Sequence, residues 1–242
     1  MKKMILICFT LILVVTGGCS INDKQNGKKD NKTEAVKPID MDPKDLPKVP
    51  AFQDKATREY MASTKEVEPG YYLLESKLKG FTMLFPDNGK IVQMLTENDG
   101  ENYETIIFES YNKTRNVYLY GNIKYFYNRD YSLETMIDSV KSSNGYKGNF
   151  NKTIKPGKEI HFAYKKIVYD NPDRKYNESY RYFGYINSTE VKNSGLEFSF
   201  IINCSDDKKP CTLNEKKAKK EAYKIIDSII FNVNKKEQKD GK

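Results

Sequence analysis

Apolar and polar positions divide the chain into four stretches. Residues 4–15 form an apolar run broken only by Thr10. Residues 20–66 are dominated by Asn, Lys, Asp and Pro, and large apolar side chains are sparse. Between residues 67 and 233 apolar residues return in short runs and regular spacings, and residues 234–242 are charged again. Only the third stretch can bury enough apolar surface to offset the entropy of ordering it. It is therefore expected to be a single folded domain of 67–233, with the polar stretch before it a flexible tether and the charged stretch after it a flexible tail. Pro38, Pro43, Pro47 and Pro50 argue against regular structure in the tether, apart from one short helix over 52–63 with Phe52, Ala56 and Tyr60 on one face. As a random coil that tether spans on the order of 35–40 Å.

Inside the domain the spacing predicts strands, a helix, more strands and a final helix. Residues 80–85 read as a strand stopped by the turn cluster Pro86-Asp87-Asn88-Gly89, with 90–95 as its hairpin partner. Residues 103–111 and 116–127 form a second pair around Asn112 and Lys113. Ser132 then caps a helix whose Leu133, Met136, Ile137 and Val140 fall at i, i+3, i+4 and i+7. Three long strands follow at 159–169, 178–190 and 195–203. Thr212-Leu213-Asn214-Glu215 reads as a capping box opening a helix that buries Ala218, Ala222, Ile225, Ile226 and Ile229. An α+β fold, an antiparallel β-sheet flanked by helices, fits this order.

The N-terminal run is too short to cross a bilayer, which takes about 20 apolar residues. Lys2 and Lys3 before it and Gly17-Gly18 after it make residues 1–18 a signal peptide. The sequence Val15-Thr16-Gly17-Gly18-Cys19-Ser20 resembles the lipobox of bacterial lipoproteins, although Thr16 stands where that family usually has Leu or Val. The resemblance implies that Cys19 is the lipidated N-terminus, carrying diacylglycerol and palmitate, and that the partner there is the cell membrane on its extracytoplasmic side. Two acyl chains anchor stably where one holds only marginally.

Charge and chemistry narrow the function classes. The formal charge is +8, but residues 67–233 keep only +3 of it. That is too dilute for a phosphate-tracking groove, so no nucleic acid is expected. The single His161 has no marked Ser or Cys partner and no second histidine at ligand spacing, so no catalytic residue, metal or cofactor is assigned. Cys204 and Cys211 flank a short loop, and outside the cytoplasm they are expected to form a disulfide. Tyrosines recur along two strands: Tyr118 and Tyr120 on one, Tyr180 and Tyr182 on another. Tyr joins an apolar ring to a polar tip, which suits a contact face for protein or sugar, although cross-strand packing uses the same residues.

The opening Gly80-Phe81-Thr82-Met83-Leu84-Phe85-Pro86 and the closing Ile226-Asp227-Ser228-Ile229-Ile230-Phe231 resemble the PsbP-like sandwich domains. That resemblance implies docking and accessory roles rather than catalysis. The whole chain is similar to small lipoproteins of bacilli, which implies a binding module at the cell envelope with a role in cell-surface or community behaviour. The expected function is thus a membrane-anchored, non-enzymatic module whose partner is an envelope protein or a wall polymer. Two alternatives stand beside it: a glycan enzyme working with two facing carboxylates, or an accessory solute-binding lipoprotein.

Overall fold

A computed structural model describes residues 36–233. The signal segment, Cys19, the start of the expected tether and the tail at 234–242 lie outside the described residues. Two antiparallel sheets organise the chain. The smaller has the order β1 (Met61–Glu68), β2 (Tyr71–Glu75), β3 (Phe81–Pro86) and β12 (Ile230–Phe231). The larger runs β4 (Gly89–Ile91), β6 (Tyr103–Asn112), β7 (Val117–Phe126), β11 (Gly195–Cys204), β10 (Glu178–Ser188), β9 (Lys158–Val168) and β8 (Asn151–Lys155), with β5 (Glu97–Asn98) beside β6. Helix α3 (Leu133–Ser143) packs on β10, and α4 (Glu215–Ser228) packs on β3, β10 and β11. The α+β class expected from the spacing is the class observed.

The main core lies between the two sheets and α4. Phe81, Met83 and Phe85 from the small sheet meet Phe108, Ile123, Tyr125, Phe198 and Phe200 from the large one. Ala218, Ala222, Ile225 and Ile226 close it from α4. Each fully buried aromatic or aliphatic side chain stabilises the fold by roughly 1.5–3 kcal/mol. Two glycines make the aromatic packing possible. A Cβ at Gly80 would lie 2.2 Å from the Tyr125 ring, and one at Gly121 would lie 2.3 Å from Phe108. A second, smaller core sits on the opposite face, where Met136 and Val140 of α3 cover Ala163, Phe183 and Tyr185.

Five expectations need correction. The flexible tether does not extend to residue 66: Leu46, Ala51, Phe52, Tyr60 and Met61 are all buried in the main core. Short helices α1 (Pro50–Gln53) and α2 (Lys55–Arg58), broken at Asp54, replace the single helix expected there, and Asp54 caps α2 by accepting from the Thr57 backbone. Sparse apolar residues still build structure when each lands on a preformed sheet face. Residues 90–95 are not the hairpin partner of β3: β4 pairs with β6 in the other sheet, and β3 lies between β2 and β12. The turn after β3 is held instead by the neighbouring turn and helix α1, as Asp87 N–H donates to the Gly70 carbonyl and Ala51 N–H to the Asp87 carbonyl. Helix α4 starts later than the capping box suggested. Asn214 is the cap, accepting from the Lys217 backbone, while the Thr212 hydroxyl accepts from the Lys217 ammonium. Finally, Tyr180 and Tyr182 are core residues, as the next section describes.

Candidate binding surfaces

Alternation along β7 and β10 sends the two tyrosine pairs to opposite faces of the large sheet. On β10, Tyr180 and Tyr182 are only 5% and 2% exposed. They face α4: the Tyr182 hydroxyl donates to the Glu215 carbonyl, and its ring stacks on Tyr164 at 5.0 Å. Burial pushes the Tyr180 hydroxyl up to about 12. These two residues hold the fold together and cannot meet a partner.

Tyr118 and Tyr120 lie on the other face, and both remain half-exposed. Register builds a short platform around them. Tyr118 stands between Tyr111 and Asn203, and Tyr120 between Glu109 and Ile201. Ile201 in turn stands beside Arg181. The Tyr118 hydroxyl donates to Glu109 at 3.0 Å, and burial with this bond raises its pKa to about 12. Helix α3 covers this face over β10 and β9, while Tyr111, Tyr118, Tyr120, Asn122, Ser199 and Ile201 keep part of their surface in solvent. Half-buried rings, with the Tyr118 hydroxyl held on Glu109, form a partly pre-ordered surface, which limits the side-chain entropy lost when a partner covers it.

A cleft of about 510 Å3 lies at one end of the large sheet, where α4, the β6–β7 hairpin and the turns at Gly70 and Asp87 meet. Arg115 and Glu221 form a two-pronged pair on its rim at 3.0 and 3.1 Å. The Lys224 ammonium sits 2.7 Å from Glu68 and 4.4 Å above the centre of the Tyr71 ring. The loop that closes this end is fixed by two devices. Cys204 and Cys211 form a disulfide with Cα atoms 6.1 Å apart, within the normal span of such a bond. Asn116, held at a left-handed φ of 55°, donates to the Asp206 and Lys209 carbonyls and accepts from the Asp206 backbone.

His161 is half-buried on β9 and bonds Glu159, which also meets Lys152 at 2.9 Å. The Lys152 contact comes first among the causes that hold the Glu159 carboxyl below its usual range. No Ser or Cys nucleophile bonds the imidazole among the described residues. No group of three or more His, Cys, Asp or Glu side chains is placed to hold a metal among them either.

The sequence model of a family described as "Putative lipoprotein YvcA" matches residues 47–230 of this chain. The chain belongs to the YvcA lipoprotein family. A relative with the same description, from Bacillus subtilis (strain 168), is 54% identical over 241 residues, 98% of this chain and 100% of its own length. A solved structure, the Ran-binding protein Mog1p of Saccharomyces cerevisiae, is similar at a TM-score of 0.37 and 10% identity, over 66% of this chain and 94% of that one. The YvcA family match starts inside the segment first read as tether, in line with the burial of Ala51 and Phe52. For a YvcA lipoprotein, the chain offers the surface around Tyr118 and Tyr120, which the strand pattern pointed to, and a cleft that it did not. Arg115 and Lys220 of the cleft stood in separate elements of the sequence, and Tyr71 lay in a strand the spacing did not reveal. The one available signal was the run of lysines at 216, 217, 219, 220 and 224, flanking the buried stripe of α4.

Proposed function

We propose that the chain is a non-enzymatic docking module, anchored through a diacylated Cys19 to the extracytoplasmic face of the cell membrane. It binds another envelope protein through the platform around Tyr118 and Tyr120 and so takes part in cell-surface or community behaviour. The observation that carries this reading is the uneven cover of one sheet face. Helix α3 seals the part over β10 and β9, while the part over β7 and β11 is left with half-exposed tyrosines, an isoleucine and side-chain amides. Aromatic residues with polar tips are the enriched residues of protein interfaces. The imidazole of His161 is engaged by Glu159 rather than by a Ser or Cys among the described residues, in keeping with a docking rather than a catalytic part for it.

The test is crosslinking in intact cells, with a photoreactive residue in place of Tyr118 or Tyr120 and, as control, in place of the exposed Lys147. A discrete adduct is expected from the two platform positions alone, and Ile201→Asp should remove it without shifting the thermal midpoint. Absence of any discrete adduct, or the same adduct from position 147, would overturn the docking reading. A hydrolytic activity lost in His161→Ala would overturn the non-enzymatic one.

A further inference from the structure

The cleft at the α4 end is independent of the tyrosine platform, and its charges are unevenly used. Arg115 is neutralised by Glu221, and Lys224 by Glu68. Lys217 donates to the Thr212 carbonyl and hydroxyl, both at 2.8 Å, and makes no ion pair among the described residues. Lys220 likewise has no ion-pair partner there. Lys217, Lys220 and Lys224 follow one another at i, i+3 and i+7, so three ammonium groups share one helix face. Like charges so placed destabilise a helix, and an anion between them relieves the repulsion.

The facing wall has different chemistry. Asp87, Asn88 and Asn112 bring a carboxylate and two side-chain amides to the cleft. Burial raises the Asp87 pKa, so a donor reaching this carboxylate would be well received. Between the walls, Tyr71, Val117 and Leu213 supply an apolar floor. A ligand that is only an anion would leave Asp87 unanswered. A ligand that is only a polyol would leave Lys217 and Lys220 unanswered. The volume, about 510 Å3, falls in the range of small-molecule sites.

We infer that this cleft binds a phosphorylated polyol or sugar, with the phosphate on Lys217 and Lys220, the hydroxyls on Asp87 and the two asparagines, and the carbon skeleton against the apolar floor. Such a group could belong to a phosphodiester polymer of the wall or to a lipid headgroup, and the two sources share the same recognition chemistry.

The experiment titrates the full chain in detergent with a glycerol phosphate oligomer, glycerol 3-phosphate, inorganic phosphate and polyglutamate, and floats it with phosphatidylglycerol vesicles. Saturable binding of the oligomer and of glycerol 3-phosphate is expected. Lys217→Glu with Lys220→Glu should weaken it at least tenfold at an unchanged thermal midpoint. Asp87→Asn should weaken glycerol 3-phosphate while leaving the weaker inorganic phosphate contact unaltered. If vesicles bind through Lys217 and Lys220 the proposal holds with the headgroup as source; if only the oligomer does, it holds with the polymer as source. No saturable binding, binding unaltered by the double substitution, or equal binding of inorganic phosphate or polyglutamate would overturn it.

Discussion

The ammonium of Lys158 on β9 donates to the carbonyl of Ile229, 71 residues further along the chain, at 2.5 Å. It also meets the Asp227 carbonyl at 2.7 Å and the Ile226 carbonyl at 3.4 Å. One lysine thus satisfies the carbonyl end of α4, where the helix has run out of backbone donors and carries partial negative charge. The residue is 5% exposed, and its anchor point pins the helix to the large sheet.

Replacing Lys158 with Met keeps the stem and removes the donors. The expected cost is about 1–3 kcal/mol, the usual penalty for buried acceptors left without partners. The pH dependence has a defined sign. Burial pushes the Lys158 pKa from 10.5 down to about 8. Between those values the unfolded chain holds a proton that the folded chain has released, so stability rises with pH across that window. Well below pH 8 the cost of keeping the ion buried is present in full, and it is relieved as pH rises through 8. The stability difference between wild type and Lys158→Met should therefore widen as pH climbs from 8 towards 10.5. Urea unfolding of both chains at several pH values checks it, since subtraction removes groups common to the two.

The tyrosine assignment makes a paired prediction. Tyr182→Ala empties a core position beside Tyr164 and Tyr223 and should cost about 3–5 kcal/mol. Tyr118→Ala removes a half-exposed ring and one bond to Glu109, for about 1 kcal/mol. Equal losses in denaturant unfolding would mean that the platform is not a free surface.

Reading the sequence separated these residues only in part. Two-residue alternation correctly put Tyr118 with Tyr120, and Tyr180 with Tyr182, but alternation does not say which face is covered. On β10 both faces are buried, since Tyr180, Tyr182 and Ile186 lie towards α4 while Phe183 and Tyr185 lie under α3. A strand covered on both sides loses the polar half of its pattern. The long strands and both long helices were legible because each repeats its period several times. Strands β1 and β2 were not: β1 is mostly polar, with exposed Lys65, Glu66, Val67 and Glu68, and β2 is only five residues long. The cleft was hidden for the same reason, because Gly70 and Tyr71 on its floor belong to that hairpin.

The Cys204–Cys211 bond closes a loop of short sequence separation, 7 residues, and removes entropy from the unfolded chain. Its loss in the Cys204→Ser, Cys211→Ser chain should lower stability by about 2–3 kcal/mol. Because Asn116 holds the same loop through Asp206 and Lys209, the native structure should survive the loss. Adding Asn116→Ala should then cost more in the reduced chain than in the oxidised one. Thermal unfolding of the four variants tests this coupling, and simple additivity would show that the two latches act independently.

Phe52 decides where the domain begins. Its ring is fully buried and meets Tyr72 edge-on at 4.8 Å, and the neighbouring Thr57 hydroxyl accepts from the Ile91 backbone at 2.9 Å. These contacts tie the segment between residues 46 and 61 to both sheets. Phe52→Ala should destabilise the domain by about 3–5 kcal/mol, whereas the same change in a flexible tether would cost nothing. Truncation gives the complementary test. A chain starting at residue 36 should retain cooperative unfolding, since the buried contacts of Leu46, Ala51, Phe52, Tyr60 and Met61 are all kept. A chain starting at residue 67 loses those five side chains and all but two residues of β1, which leaves β2 as an open edge over an uncovered core. It should aggregate or unfold without a cooperative transition, measured by circular dichroism and calorimetry. Equal midpoints for the two truncations would return residues 36–66 to the tether.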